Sequence, residues 1–267
     1  MNPTKAPSPH GLVDGKVVLV TGAAGGMGAA TAELLASLGA TVIGADVADA
    51  GHERFQLLGA PHRYVRLDVT DPAAWETTLR DVDRLDIAFL NAGVMTRPPH
   101  VPILDDPVGW LTPENFRRVM AVNVGGVAYG LAATIPLLER GGGGDILITS
   151  SGAGIQPYEP DPVYAASKYS LVGLARSLTP WMTRRGIRIN VICPHSVLTG
   201  MIPKDLRELP DKTFSPPSYI AESVLDILRS GETGRVWVAR GVGEQVWPIA
   251  YEDVTPRMSY LEELAPN

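Results

Sequence analysis

The sequence predicts a doubly wound α/β domain, a parallel sheet of about seven strands with helices on both faces. Three observations carry this. Short apolar runs recur along the chain, and strands buried on both faces of a parallel sheet read that way. Each run is followed by a segment of helical length, and alternation of this kind builds βαβ units. A glycine cluster stands between the first run and the first helix, where such folds turn tightly.

In order, the apolar run Lys16 to Thr21 is the first strand, and Gly22, Gly25, Gly26 and Gly28 crowd the turn after it. Glycines there let backbone approach a pyrophosphate, and the helix that follows (Ala29 to Leu38) offers amide donors and a favourable dipole. Thr41 to Asp46 is the second strand, ending in a carboxylate 18 residues after Gly28. An acid so placed accepts hydrogen bonds from the ribose hydroxyls of NAD and repels the 2′-phosphate of NADP. Val47 follows it, so no arginine stands beside Asp46 to welcome a phosphate.

Tyr64 to Val69 is the third strand, and a helix starts at Pro72 behind the cap Asp71. Leu85 to Leu90 is the fourth strand, ending in Asn91-Ala92-Gly93. The stretch 94–111 has four prolines and no period, and is expected as a loop at the mouth of a site. Thr112 opens a long helix to about Arg140, which contains Asn123 and which Pro136 should bend. Asp145 to Ser150 is the fifth strand, and a loop to Asp161 offers Gln156 and Tyr158 as substrate contacts. The helix from Pro162 to Arg185 carries Tyr164 and Lys168. Ile187 to Ile192 is the sixth strand, Ser218 to Arg229 an amphipathic helix, and Arg235 to Ala239 the last strand.

Tyr164 and Lys168 stand four residues apart, on one face of their helix. A free phenol titrates near ~10, too high for a base at neutral pH, and an adjacent ammonium would bring it down. Ser151, 13 residues before the tyrosine, offers a hydroxyl for a substrate oxygen.

Composition sets limits. The 267 residues suit one domain with a full core, residues 12–247, flanked by a flexible arm (1–11) and an acidic, aromatic tail (248–267) suited to a subunit interface. A net charge of −6 argues against nucleic acid and anionic membranes as partners. No uncharged apolar run reaches the ~20 residues of a membrane span. The N-terminus lacks the apolar core of a signal peptide, so a cytoplasmic location is expected. The one cysteine, Cys193, is expected in a buried strand, and the five histidines are scattered without metal-ligand spacing.

Together these motifs resemble the short-chain dehydrogenase/reductase family in its basic single-domain, Rossmann-type form. The likeness covers Leu12 to Ala239. Thr21 to Gly28, with Met27 inside it, matches the family's T-G-x-x-x-G-x-G. Asp68-Val69, Asn91-Ala92-Gly93, Asn123, Ser151 and Tyr164/Lys168 match the remaining motifs in order. The resemblance implies hydride transfer between NAD and a secondary alcohol or ketone. In it Ser151, Tyr164 and Lys168 act on the substrate, Lys168 binds the nicotinamide ribose, and Asn123 holds a water linking Lys168 to solvent. It also implies adenine contacts from Asp68 and Val69, carboxamide contacts from Pro194, Val197 and Thr199, and a homodimer or homotetramer through the two long helices. The chain departs from the pattern at His195, where the family has glycine, and in a short lid, 199–221. Met95, Gln156, Tyr158, His195 and Met201 are the expected pocket residues, a set suited to an apolar, uncharged molecule. Two readings stay open: an NADP-dependent carbonyl reductase and a non-catalytic nucleotide-binding protein of the same fold. An epimerase or dehydratase is disfavoured, because the chain has no C-terminal substrate domain.

Overall fold

Burial decides the layering. The structure is a computed structural model and describes residues 9–102, 106–202, 207 and 214–250. The strands β1 (Val17–Thr21), β2 (Thr41–Asp46), β4 (Ile87–Leu90) and β5 (Gly144–Thr149) are almost wholly buried. With β3 (Arg63–Arg66), β6 (Ile187–Pro194), β7 (Val236–Ala239) and β8 (Trp247–Pro248) they form one sheet in the order β3-β2-β1-β4-β5-β6-β7-β8. The first seven are parallel. The eighth is a two-residue edge strand antiparallel to β7, and it corrects the expected count. It is too short to carry a period, and Pro248 suits an edge where no partner needs its amide.

Helices cover both faces. On one lie α4 (Pro72–Leu79), α6 (Gly126–Arg140) and α7 (Pro162–Thr183), burying Trp75, Leu131, Leu138, Leu171 and Met182 with β5 and β6. On the other lie α1 (Pro9–Val13), α2 (Gly26–Ser37), α3 (Gly51–Leu58) and α8 (Pro217–Ser230), whose Val13, Leu35, Phe55 and Val224 pack on the sheet. The expected flexible arm gives way to helix α1 at Pro9; residues 1–8 lie outside the described residues, as does most of the tail, 251–267.

The long helix after the 94–111 segment runs from Pro113 to Arg140. Thr112 caps it, its hydroxyl accepting from the Asn115 amide at 3.2 Å. Its irregularity is a π-turn, Ala121–Gly125, between α5 (Pro113–Met120) and α6, ahead of Pro136. By length and composition this 28-residue helix could cross a bilayer. Its residues Val119, Val127, Leu131, Leu137 and Leu138 are instead buried within the protein.

Close approach between α4 and α6 depends on Gly130, where a Cβ would meet the Trp75 ring at 2.9 Å. Trp75 is buried and its indole N–H donates to the Val69 carbonyl at 3.0 Å. Trp75→Ala should therefore leave a large cavity and lower stability by about 3–5 kcal/mol, read as a denaturant midpoint shift at unchanged slope.

Candidate active site

The site lies where the strand order reverses, at the carboxyl ends of β1 and β4. After β1, Gly22 takes φ +71° and Gly26 φ +53°, values that favour glycine. A Cβ on Gly28 would stand 2.1 Å from the Gly22 carbonyl oxygen, so α2 can begin against the turn only with glycine there. Gly25 caps α2 with no side-chain bond and faces open space. The first amides of α2 have no acceptor within the helix, and they suit a phosphate. Asn91 closes the turn from β4. Its Nδ2 donates to the Thr21 carbonyl at 3.1 Å, and its Oδ1 accepts from the Thr149 hydroxyl at 3.1 Å.

Asp46 ends β2 beside this turn. Its Oδ2 accepts from the Ala24 amide and its Oδ1 from the Ala48 amide, each at 3.1 Å. Both bonds orient the carboxylate, while Val47 beside it is exposed. Asp68 is a turn acid whose Oδ1 accepts from the Thr70 amide and hydroxyl at 2.9 and 2.7 Å. Val69 is buried against Gly126 and Trp75. Asp46, Val47, Asp68 and Val69 thus lie along the edge of β2 and β3, apart from the main cleft.

That cleft, of about 370 Å³, is lined by Met27, Asn91, Gly93, Ser151, Tyr164, Lys168, Pro194, Val197 and Thr199. Met95, Gln156, Tyr158, His195 and Met201 line it too, so the expected pocket residues share one space. Of the lid, 203–206 and 208–213 lie outside the described residues. Thr199 packs against Gly26, and Ala92 bonds through its amide to the Thr21 hydroxyl.

Ser151, Tyr164 and Lys168 come from two local structures, a 3₁₀ turn and helix α7. Ser151 caps a 3₁₀ turn, Gly152–Gly154, its oxygen accepting from the Ala153 amide at 3.1 Å. Its hydroxyl stands beside the Tyr164 phenol and acts to lower that phenol's pKa. The adjacent Ser150 is spent elsewhere, donating to the Lys168 carbonyl at 2.8 Å. Lys168 reaches up from α7 beneath the cleft; its amine donates to the Thr149 carbonyl at 2.9 Å and stands 5.7 Å from the Tyr164 ring centroid.

Burial dominates the electrostatics. It pushes the Tyr164 phenol up to about 12, against the lowering effect of the Ser151 hydrogen bond, with Tyr158, Asp161 and Cys193 adding to the rise. The expected lowering by Lys168 is overturned, because desolvation of the phenolate wins. Burial also brings the Lys168 ammonium down to about 8. Cys193, beneath both, is buried in β6 and raised to about 11 by the same cause. His195 is half-buried; its ring lies over Gly152, and burial and Arg240 lower its pKa.

Asn123 sits in the π-turn, wholly buried. Its Nδ2 donates to the Val94 carbonyl and to the Ser167 hydroxyl, both at 2.9 Å, and its Oδ1 accepts from the Val94 amide at 2.8 Å. Both side-chain donors are used within the protein. The amide therefore splices the 94–111 segment to α7, a role the sequence motif does not reveal. Among the described residues no group of three or more His, Cys, Asp or Glu could hold a metal ion. Asp161, which caps α7 through the Tyr164 amide at 3.0 Å, went unread in the sequence, although an Asp before a Pro at a helix start signals a cap.

A crevice over glycines at the reversal of strand order defines the dinucleotide-binding class of doubly wound proteins. Within that class the chain belongs to the short chain dehydrogenase family, whose model matches residues 16–209. It is 35% identical over 209 residues to tropinone reductase-like 2 of Erythroxylum coca, covering 74% of this chain and 72% of that one. It is 32% identical over 241 residues to levodione reductase of Leifsonia aquatica, covering 86% of each. The crystal structure of a levodione reductase superposes with a TM-score of 0.72 at 28% identity, covering 85% of this chain and 96% of that one. That of 3-ketoacyl-(acyl-carrier-protein) reductase from Brucella melitensis, complexed with NADH, gives 0.74 at 27%, covering 86% and 98%. The chain is accordingly an oxidoreductase of the short-chain dehydrogenase type.

The buried ammonium gives a pH signature. Lys168 holds its proton less tightly folded (about 8) than unfolded (about 10.5), so the unfolded chain binds more protons between these values. Stability from this group must rise with pH across that window, by on the order of 3 kcal/mol. Above pH ~10 the raised phenol of Tyr164 works in the opposite sense, because the folded state then holds the extra proton. Between pH 8 and 10, wild-type protein should gain stability relative to Lys168→Met in urea titrations. A pH-independent difference would contradict the buried, proton-poor amine.

Proposed function

We propose that the chain transfers a hydride reversibly between NAD and a secondary alcohol or ketone, with Tyr164 as the proton donor and acceptor. The observation that carries this reading is the convergence of the Ser151, Tyr164 and Lys168 side chains in one cleft beside the glycine turn. When bound, the cofactor supplies the hydride acceptor, and the protein supplies aim and electrostatics.

The donor set fits a dinucleotide. The α2 amides and Gly25 would hold the pyrophosphate, and Asp46 the adenosine ribose, with Asp68 and Val69 flanking the adenine. Gly93, Pro194, Val197 and Thr199 would border the nicotinamide half. Ser151 donates its hydroxyl proton to the substrate oxygen and stabilises negative charge as it develops there. Tyr164 takes the alcohol proton as hydride leaves the carbon. Burial holds the phenol proton firmly, and the positive charge of a cofactor held by Gly93, Pro194, Val197 and Thr199 would favour the phenolate. Lys168 keeps a movable proton near that ring. Gln156, Tyr158 and His195 face the substrate among methionines, which suits a neutral, mostly apolar molecule.

The sheltered carboxylate of Asp46 favours NAD over NADP. We place the protein in the cytoplasm as a homodimer or homotetramer. Exposed Phe116, Tyr129, Tyr169 and Trp181 on the long helices support the assembly.

Tyr164→Phe should bind NADH within about twofold of wild type and lose about 10²–10⁴ in turnover with secondary alcohols. Undiminished turnover would reject the role of the phenol. Wild type should prefer NAD to NADP by about two orders of magnitude in kcat/KM, and Asp46→Asn should shrink that ratio by reducing the preference for NAD, the repulsion of a 2′-phosphate being lost. An NADP preference in the wild type would overturn the cofactor assignment.

A further inference from the structure

We infer that Asp161 is a positioning residue that ties the catalytic helix and residues 94–97 into one unit on the substrate side of the cleft. The inference rests on Tyr164 being the acid/base group. It starts from a buried charge with divided duties. Asp161 is 2% exposed, and its two oxygens serve different segments. Oδ1 accepts from the amide of Tyr164 at 3.0 Å, fixing the first turn of α7. Oδ2 accepts from the amide of Thr96 at 2.8 Å, across 65 residues of chain.

A helix cap needs only one oxygen, and Ser or Asn would supply it without burying a charge. The second bond explains the carboxylate, since a neutral amide cannot offer acceptors to two N–H groups placed on opposite oxygens. The rest of the loop is held to match. Asn123 pairs with both backbone groups of Val94, and Arg118 of α5 donates to the Met95 and Thr96 carbonyls at 2.9 and 2.8 Å. With Thr96 pinned, the Met95 side chain packs with Tyr158 against Ala153, Tyr164 and Ala165. The carboxylate thus holds the Met95 segment against the cluster that contains the phenol.

Charged and titratable groups surround that phenol on every side. Lys168 rises from the same helix, Cys193 from β6, Tyr158 from the preceding loop, and His195 stands across the cleft; Arg97 of the 94–111 loop acts on Tyr158. Removing Asp161 deletes a negative charge that raises the Tyr164 pKa and admits water that lowers it, so both effects have one sign.

Asp161→Asn and Asp161→Ser test this, because each keeps a cap for the Tyr164 amide and gives up the anchor of Thr96. Hydrogen exchange of both variants should leave the Tyr164 amide protected within about twofold and speed exchange at Thr96 by about tenfold or more, the size of one lost buried hydrogen bond. With cyclohexanol as probe and NAD saturating, KM for the alcohol should rise about tenfold, with kcat changed less. The acidic limb of the kcat/KM profile, which follows deprotonation of the base Tyr164, should move to lower pH. NADH affinity should stay within about twofold, and Asp161→Glu should restore part of the KM. Unchanged exchange at Thr96, or an unchanged KM and pH profile despite faster exchange there, would overturn the inference. If both variants fail to fold, exchange in the wild type decides: Thr96 as protected as Tyr164 supports the tether, and Thr96 exchanging freely rejects it. The exchange arm needs no catalysis, so a failed role for Tyr164 is told apart from a failed tether.

Discussion

The fold is arranged to bury one ammonium. Lys168 stands 3% exposed, with its amine on the Thr149 carbonyl at the end of β5. An ion loses hydration in such a place and keeps its charge only if neighbours are shaped to receive it. Small residues make the room. A Cβ on Gly93 would stand 3.2 Å from the amine, and one on Gly154 would meet the Lys168 backbone at 2.9 Å. The Ser150 hydroxyl locks that same backbone to β5 at 2.8 Å. The registry of α7 on the sheet, and with it the place of Tyr164, follows from these contacts.

The same burial acts on both partners. It loosens the proton of Lys168 toward about 8 and tightens that of Tyr164 toward about 12. The protein alone therefore builds a reluctant base. Under the proposed chemistry it becomes a useful one only when a positive ring and a substrate oxygen share the cleft, which couples proton transfer to a filled site. Ser151 contributes on both counts, because its hydrogen bond is the effect that opposes the burial of the phenol.

Much of this was legible in the sequence wherever a local rule fixes geometry. Four residues of helix put Tyr164 and Lys168 on one face, and the glycine spacing fixed the turn before α2. The 13-residue spacing chose Ser151 over Ser150; Ser150 donates to the Lys168 carbonyl, while Ser151 stands beside the Tyr164 phenol. Strand β8 and helix α3 were missed, the first for shortness and the second because Gly51 to Leu58 lies in a polar stretch without a strong apolar stripe. The sign of the Tyr164 shift was misread, because spacing reveals a neighbour and says nothing of solvent. The bonds made by Asn123, and Asp161 altogether, were hidden for a related reason. Their partners, Val94 and Thr96, are backbone groups far along the chain, and any residue type could have supplied them.

A crystal structure of the protein with NAD tests the central assignment most directly. The nicotinamide ribose should lie against the Lys168 amine, with the reactive ring carbon facing the space between Tyr164 and Ser151 and the pyrophosphate over Gly25. A dinucleotide bound away from the glycine turn, or a nicotinamide turned out of reach of the Tyr164 hydroxyl, would contradict it.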